Sequence, residues 1–284
     1  MKRKLSLVFL LGAVLLGPAA LADGDFYPGG PLGIRITSLP FTISNPGSYY
    51  LGSNLSYSGG HGITIASDHV TLDLMGFTLT GPGSTYYAIS MTGRQNVEIR
   101  NGTLSGWQIG IREGYSTGTG HRVINIRAEG NETGVFLGGS GHLIKGCQAS
   151  GGATSVRGFY IDSKGIISGC RTNNFASVGI EIDDYGTITN NVVIGPGSVG
   201  SYGGIYAGSS SLVMGNEVSD AVKGIYCQDA ASVIGNTVTA NAGQTGIRVS
   251  TTQPALLDQN TVRGDGTHYQ GITPGVTVTR NNAG

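Results

Sequence analysis

The 284-residue sequence has little charge and no excess of either sign. Seventeen basic residues balance 17 acidic ones, and charged residues make up only 12% of the chain. A nucleic-acid-binding protein usually carries a basic patch or stripe, and none is present. The three cysteines are too few for a small fold held together by disulfides. A disordered chain is excluded as well, because such chains are rich in charge and poor in Val, Ile, Leu and Tyr.

Glycine, by contrast, is abundant, with 50 residues. Collagen is excluded because there is no Gly-X-Y period and there are only nine prolines. A largely helical protein is excluded because each glycine inside a helix costs about 1 kcal/mol relative to alanine. The composition therefore predicts an all-β protein with short strands and many tight turns. All-β chains of this length often form a single domain.

The N-terminus has the features of a secretory signal peptide. Lys2, Arg3 and Lys4 precede an apolar run at residues 5–16, which is too short to span a bilayer comfortably. A small-x-small motif ends at Ala22, so residues 1–22 are predicted to be removed and the mature chain to begin at Asp23. The mature chain would carry 14 basic and 17 acidic residues, a net charge of −3. We predict a secreted, extracellular or periplasmic protein with no stable membrane insertion.

An internal repeat runs from residue 62 to the C-terminus. Each unit begins with a small residue followed by alternating apolar residues, and successive units start 20 to 26 residues apart, about 23 on average. The starting residues are Gly62, Ala88, Gly110, Gly134, Gly158, Gly179, Gly204, Gly224, Gly246 and Gly271. Repeats of this length with two or three short strands per unit are too short for propeller blades and lack a leucine ladder.

The repeat predicts a right-handed parallel β-helix of about ten coils, with roughly 23 residues per coil. Stacked coils lie about 4.8 Å apart, so ten of them form a rod about 48 Å long. Right-handed crossovers between parallel strands are strongly favoured. We predict an N-terminal cap and first coil at residues 23–60 and β-helix repeats at residues 61–284. Open ends would promote end-to-end homo-oligomers.

Within each unit, the alternating aliphatic residues are predicted to form the core, and a second column is predicted to form a buried asparagine ladder. This column comprises Asn101, Asn125, Cys147, Cys170, Asn191, Asn216, Asn236, Asn260 and Asn281. Buried amides require hydrogen-bond partners, which neighbouring coils would supply. Cys147 and Cys170 would be adjacent, a separation compatible with a disulfide, while two stacked free thiols fit equally. Cys227, on another column, is predicted to be a buried free thiol.

These features resemble the secreted right-handed parallel β-helix proteins of the pectate-lyase-like superfold. The resemblance is strongest near the N-terminus, at residues 36–51, 63–65 and 70–81, which are similar to the N-terminal coils of bacterial secreted β-helix proteins. It covers nearly all of the mature chain. It implies the fold and a link to polysaccharides, but this superfold includes lyases, hydrolases, epimerases, adhesins and passive rods.

The outward-facing residues of the glycine-initiated strand are the candidate binding surface. We predict contact with a polysaccharide or cell-surface glycan through its central positions, because aromatic rings stack on sugars and polar groups take their hydroxyls. The predicted carbohydrate-binding residues are Phe136, Tyr160, Glu181, Tyr206, Tyr226 and Arg248. Longer loops at residues 150–157, 195–203 and 263–270 would wall this face into a groove. A purely structural, solvated surface is the alternative, since Tyr and Phe also favour strands.

Acidic residues gather at the end of the same strand in two adjacent coils. Asp162, Asp183 and Asp184 are candidate acid–base residues, with Lys164 or Arg157 as the cationic partner. Stacked carboxylates about 5 Å apart would raise one pKa or bind Ca²⁺. No cofactor is expected apart from Ca²⁺ at these three aspartates.

The enzyme motifs of the superfold are only partly present. Asp162 followed one coil later by Asp183 and Asp184 matches the first part of the polygalacturonase-type pattern. The downstream Gly-His-Gly and Arg-Ile-Lys segments are missing, and His61 lies about 20 Å away at the coil spacing. The pectate-lyase Trp-Ile-Asp-His segment is absent too. We therefore predict a non-catalytic polysaccharide-binding protein; a lyase, hydrolase or epimerase and a structural rod are the alternatives.

Overall fold

The computed structural model describes residues 33–283 apart from residues 84, 115–116, 153, 196–201, 251–252, 273–275 and 280–281. The predicted signal peptide, its cleavage site and the beginning of the predicted N-terminal cap lie outside the described residues. All regular structure in the described part of the chain is β-strand. No helix there is long and apolar enough to cross a membrane.

The described residues form thirty-two short strands. In chain order they are β1 (Ile34–Ile36), β2 (Phe41–Ile43), β3 (Gly47–Leu51), β4 (Leu55–Ser56), β5 (Ile63–Ile65), β6 (Val70–Asp73), β7 (Thr78–Thr80), β8 (Tyr87–Met91), β9 (Glu98–Ser105), β10 (Ile109–Glu113), β11 (Arg122–Glu129), β12 (Thr133–Ser140), β13 (Leu143–Lys145), β14 (Gln148–Ser150), β15 (Arg157–Ser163), β16 (Ile166–Ser168), β17 (Arg171–Asn173), β18 (Val178–Asp184), β19 (Thr187–Thr189), β20 (Val192–Ile194), β21 (Gly203–Ala207), β22 (Leu212–Met214), β23 (Glu217–Ser219), β24 (Lys223–Cys227), β25 (Ser232–Ile234), β26 (Thr237–Thr239), β27 (Thr245–Val249), β28 (Ala255–Asp258), β29 (Thr261–Arg263), β30 (Thr267–Gln270), β31 (Val276–Thr279) and β32 (Asn282–Ala283).

The strands form two parallel sheets, as the repeat predicts. One strand from each coil, in most coils the strand that contains the repeat glycine, stacks into an 11-stranded sheet, which we call the first sheet; the remaining 21 strands form the second sheet. A typical coil contributes β15 to the first sheet and then β16 and β17 to the second, before β18 stacks on β15. The predicted all-β solenoid of about ten coils is therefore confirmed.

The core is a set of aliphatic columns that run along the solenoid axis. In the first sheet the stacked residues Val135, Phe159, Ile180 and Ile205 are fully buried and lie in register. Burying each such side chain contributes about 1.5–3 kcal/mol. The predicted inward-facing residues of the repeat are thus core residues, and the alternation places their neighbours on the outer face.

The glycine that starts the repeat unit is the second residue of most first-sheet strands, and it is required there for steric reasons. A Cβ atom at Gly158 would lie 2.4 Å from the carbonyl oxygen of Gly179 in the next coil. The same contact would be 2.5 Å at Gly110 and 2.6 Å at Gly224. Backbones in adjacent coils approach too closely here for most side chains, which explains why the sequence repeats a small residue at this position.

The asparagine ladder is confirmed in the C-terminal half of the solenoid. Asn191, Asn216, Asn236 and Asn260 are buried, and each of the first three donates its backbone N–H to the Oδ1 of the next at 2.9–3.0 Å. Their Nδ2 groups donate to backbone carbonyls of neighbouring coils at 2.8–3.0 Å. The amides are satisfied in both directions along the axis.

The first two members of the predicted ladder are wrong. Asn101 and Asn125 have φ values of 58° and 53°, lie one position earlier than the ladder, and are not buried. They occupy the left-handed corner of the coil, a conformation that asparagine tolerates well. Gly102 and Ile126 follow them where later coils have the ladder residue. Asn281 lies outside the described residues.

All three cysteines are free and buried. Cys147 and Cys170 are adjacent in the ladder, as predicted, and the Cys147 N–H points at the Cys170 sulfur at 3.4 Å. Of the two alternatives, the structure therefore has the stacked thiols. Cys227 is the buried free thiol expected from its column, and burial raises its pKa to about 12.

The last coil differs from the predicted register. The repeat placed its strand at Gly271, but β30 ends at Gln270, and Tyr269 stacks on Ile247 instead. Gly271 turns away with a φ of 80°, and Ile272 is 45% exposed. The last predicted residue of that strand, Thr273, lies outside the described residues.

A buried cluster of ionisable groups occupies the turn after the first sheet in two successive coils. Glu113, His121 and His142 are at most 1% exposed. The His121 Nε2 lies 3.2 Å from the Glu113 carboxylate, and the two imidazoles stack 4.8 Å apart. Each imidazole Nδ1 accepts a backbone N–H, that of Val97 for His121 and that of His121 for His142. Protonating either Nδ1 would therefore break a bond between coils.

This cluster makes the stability of the fold depend on pH. Burial and the neighbouring His121 lower the pKa of His142 to about 4, although Glu113 and Asp162 oppose the shift. Below the unfolded-state pKa of about 6.5, His142 binds a proton in the unfolded chain, whereas it stays neutral in the folded chain until the pH reaches about 4. Stability is therefore lost as the pH falls from about 6.5 to 4.

We expect the wild type to lose about 3 kcal/mol more than His142→Gln between pH 7 and pH 4, because glutamine does not titrate. Urea unfolding at several pH values measures this difference. His69→Asn is the control, since His69 is exposed and has a φ of 55° that asparagine accepts. Equal pH slopes for the wild type and His142→Gln would contradict the prediction.

Candidate functional site

The outer face of the first sheet brings the predicted carbohydrate-binding residues into one column. Parallel pairing places them in adjacent coils in the order Phe136, Tyr160, Glu181, Tyr206, Tyr226 and Arg248. Adjacent residues in this column are separated by the inter-strand spacing of about 4.8 Å. The stacking expected from the repeat is therefore present over six coils.

Most of this column is less accessible than an outward strand face would be. Phe136, Tyr160 and Tyr206 are 7–8% exposed, and Glu181 is 3% exposed. Only Tyr226 and Arg248 keep an intermediate exposure. The side chains cover one another, because long residues stacked at the coil spacing fill the space between them. Sequence alternation indicated the face correctly but not its burial.

At the N-terminal end of the column, two aromatic rings stack on each other. The rings of Phe136 and Tyr160 are 4.4 Å apart and nearly parallel, at 15°. The guanidinium of Arg112 lies 5.9 Å from the centroid of the Phe136 ring, and that of Arg157 lies 5.6 Å from the Tyr160 ring. Because the ring faces pack against each other and against cations, they are not free to stack on a sugar.

Beside the stacked rings lies a network of partly buried charged groups. Arg157 Nε donates to Glu181 Oε2 at 2.6 Å, and the Tyr160 hydroxyl donates to Asp183 Oδ2 at 2.7 Å. Burial raises the pKa of Glu181, although Arg157 opposes the shift. Burial also raises the pKa of Asp183, helped by the charges of Asp162 and Asp184 and opposed by the Tyr160 hydrogen bond. Burial and Asp183 raise the pKa of Tyr160.

The remaining predicted catalytic residues are held by other partners. Asp162 Oδ2 accepts the N–H of Gly139 at 3.2 Å, and Asp184 Oδ1 accepts the N–H of Ser209 at 2.8 Å. Lys164 is exposed in a left-handed turn with a φ of 52°, and its ammonium group forms no ion pair with a described acid. Of the two predicted cationic partners, the structure brings only Arg157 to the acids.

The predicted calcium ligands are not arranged around a common point. Asp183 is bound by a tyrosine hydroxyl, whereas Asp162 and Asp184 are each bound by a backbone amide of a different turn. Throughout the described part of the chain, no three acidic, histidine or cysteine side chains are grouped to hold a metal ion. The geometry supports a hydrogen-bonded network rather than an oxygen cage for Ca²⁺.

The accessible part of the face lies farther toward the C-terminus and includes two residues that sequence analysis missed. Tyr202 is 42% exposed and packs 4.4 Å from Tyr206 and 6.5 Å from Tyr226, between ring centroids. Lys223 Nζ and the Arg248 guanidinium lie 5.4 and 5.2 Å from the Tyr226 ring. We call Tyr202, Tyr226, Lys223 and Arg248 the tyrosine–cation cluster.

Tyr202 was missed because it belongs to a loop rather than a strand column. The predicted loop at residues 195–203 was the available signal, although most of it lies outside the described residues. Lys223 was missed because it precedes the glycine of its strand. Both side chains reach the face only after the coils have stacked.

Comparison with known proteins shows the family of the chain. Residues 109–265 match the family model described as the right-handed β-helix region. The chain therefore belongs to this family, which confirms the predicted fold and handedness. No curated protein matches the sequence at a significant level.

Solved structures with the same fold are distant in sequence. An alginate lyase from Paenibacillus sp. str. FPU-7 is 15% identical with a TM-score of 0.56, over 86% of this chain and 99% of that one. The Dettilon tailspike protein is 13% identical with a TM-score of 0.59, over 86% and 60% of the two chains. The catalytic domain of a GH87 α-1,3-glucanase is 14% identical with a TM-score of 0.58, over 87% and 63%.

The buried pair of Arg157 and Glu181 generates a test of the charge network. The side chain of Glu181 is 4% exposed and that of Arg157 is 31% exposed. Removing the cation strands a buried carboxylate, which is costly, whereas replacing both partners by apolar residues can be nearly neutral. We expect Arg157→Met to lower the free energy of unfolding by about 2 kcal/mol at pH 7.

The double variant Arg157→Met/Glu181→Met is expected to recover most of that loss in urea unfolding. The cost of Arg157→Met is also expected to be smaller at pH 4, where the stranded Glu181 takes up a proton. A double variant as unstable as the sum of both single variants would contradict coupling between the two residues.

Proposed function

We propose that the protein binds polysaccharide outside the cytoplasm through the tyrosine–cation cluster and without cleaving it. The observation that carries this proposal is the exposed ring of Tyr202 beside Tyr226, with Lys223 and Arg248 over the Tyr226 ring. Aromatic side chains supply an apolar surface for a sugar ring, and cations at the rim take hydroxyls or carboxylates. The predicted signal peptide supports secretion.

The structural neighbours support a polysaccharide ligand. Two of them are an alginate lyase and an α-1,3-glucanase bound to nigerose. The rod presents a rigid, preformed face, so little conformational entropy is lost when a chain binds along it. Binding without cleavage is supported by the engagement of the acids, because Glu181 is held by Arg157 and Asp183 by Tyr160.

The first test is a glycan array followed by titration of the best ligand. We expect Tyr226→Ala to weaken binding at least tenfold, because it removes a contact ring and the ring that orders both cations. Lys223→Met and Arg248→Met are expected to weaken it severalfold.

Tyr185→Asn is the matched control for this titration. Tyr185 is 60% exposed, lies at a turn away from the cluster and has a φ of 54° that asparagine accepts. Unchanged affinity in Tyr226→Ala, or an equal loss in Tyr185→Asn, would overturn the assignment of the binding surface.

A carbohydrate-active enzyme is the second candidate, and Asp183 favours it. This carboxyl is partly exposed, its pKa is raised by burial, and two further aspartates lie nearby. A carboxyl with a raised pKa is suited to act as a general acid. Arg157 would be the cation beside it.

Catalysis is tested by assaying reducing ends and unsaturated products on the polysaccharides that the array identifies. On the binding proposal, neither product forms with the wild type. Turnover that Asp183→Asn reduces at least a hundredfold while the affinity is retained would establish the enzyme and contradict the non-catalytic proposal.

A further inference from the structure

The second sheet contains a groove that the tyrosine–cation cluster does not use. At the corner between its two strands, a cavity of about 350 Å³ is floored by Gly76, Gly102 and Gly146. A second cavity of about 150 Å³ adjoins it, and both are lined by Arg127 and Gln148. A first cavity of this size is within the range of small-ligand sites, and the second extends it along the rod axis.

The groove is built by the corner column of the coils. Asn101 and Asn125 project from left-handed corners, but the same position in the next coil is Gly146, with a φ of 63°. A Cβ atom at Gly146 would lie 2.7 Å from Asn125 Oδ1, and a Cβ at Gly76 would meet nothing within 4 Å. The loss of side chains at these corners leaves room above the backbone.

Two arginines in the lining, Arg127 and Arg171, give the groove positive charge. Arg127, Gln148 and Arg171 occupy the same position in three successive coils, so the Cα atoms of the arginines are about 9.6 Å apart at two coil spacings. Both arginines are exposed. Neither forms an ion pair with an acid of the described chain.

Two other arginines of the second sheet, Arg100 and Arg122, do form ion pairs with acids. Arg100 binds Asp73 and Glu98 at 2.7 and 2.8 Å, and Arg122 lies 3.3 Å from Glu98. Arg127 has an acid on its own strand, Glu129, yet no ion pair joins them. The guanidinium groups of Arg127 and Arg171 are therefore available to a ligand.

We propose that this groove binds a carboxylate-bearing polysaccharide, with Arg127 and Arg171 each engaging a carboxylate. A guanidinium matches a carboxylate through two parallel hydrogen bonds. Gln148 and Asn173 lie in the same lining and supply amide groups for sugar hydroxyls. Two guanidinium groups carried on Cα atoms about 9.6 Å apart favour a polymer with spaced carboxylates over a single anion.

The site is separate from the tyrosine–cation cluster, because it lies on the second sheet. The probe is hexagalacturonate, titrated in a Tyr226→Ala/Arg248→Met background so that the proposed first surface does not contribute. We expect Arg127→Gln and Arg171→Gln each to weaken binding about tenfold and the double variant about a hundredfold. Binding is expected to weaken as salt is raised.

Two controls locate the effect. Arg122→Gln removes a paired arginine from the same sheet and is expected to leave the affinity unchanged. Backbone amide shifts on adding hexagalacturonate are expected at Gly102 and Gly146 and not at Gly224 of the first sheet. The thermal midpoint of each variant verifies folding, since surface substitutions usually change stability by no more than about 0.5 kcal/mol.

Several outcomes would overturn the proposal. If the neutral maltohexaose bound as tightly as hexagalacturonate, recognition of carboxylates would be contradicted. Tighter binding of dextran sulfate or single-stranded DNA at the same amides would show a general polyanion surface. Saturation by galacturonate monomer at the same concentration would contradict a polymer site. Failure of the tyrosine–cation cluster to bind glycan would leave each of these results unaffected.

Discussion

The coil-to-coil register is the constraint on which the rest of the structure depends. In a parallel solenoid, the backbone N–H and C=O groups of each inner coil are buried. Each of them must form a hydrogen bond with the adjacent coil, which lies about 4.8 Å away along the axis. The ladder from Asn191 to Asn260 meets this requirement with side-chain amides, because each Oδ1 accepts the N–H of the ladder residue in the previous coil and each Nδ2 donates to a carbonyl of the previous coil. A slip of one residue would leave these amides unpaired and turn the aliphatic core outward.

The same register forces the outer side chains into columns, where like groups meet at close range. Stacked aromatic side chains attract each other and stabilise the sheet, whereas stacked carboxylates repel each other and destabilise it. At the acidic coils the repulsion is reduced by hydrogen-bond donors: Arg157 donates to Glu181, and the Tyr160 hydroxyl donates to Asp183. The most conspicuous acids of the sequence are therefore part of the packing. The accessible side chains lie in neighbouring coils, where Tyr202 is exposed and Tyr226 is partly exposed.

Periodicity predicts the fold well because every coil repeats the same small set of steric demands. The glycine at position 158 recurs at 179 because a Cβ atom at either position would lie less than 3.0 Å from the carbonyl oxygen of the glycine in the next coil. Periodicity fails where coils differ. Asn101 and Asn125 look like ladder residues, but they occupy the left-handed corner one position earlier. The pairing of Glu113 with His121, the burial of Phe136 and the approach of Tyr202 depend on side-chain volumes in three dimensions, which a one-dimensional pattern does not contain.

Two proposed binding surfaces on different sheets of one rigid rod allow it to hold two polymers at once. If one polymer lies along the tyrosine–cation cluster and another along the groove of Arg127 and Arg171, the rod joins them at a fixed separation. Each surface then raises the effective concentration of polymer at the other, so modest affinities combine into firm attachment. The low charge of the chain fits this role, because charged residues make up only 12% of it and so few charges do not attract polyanions along the whole rod. Selectivity then comes from the spacing that the coils impose on those few charges.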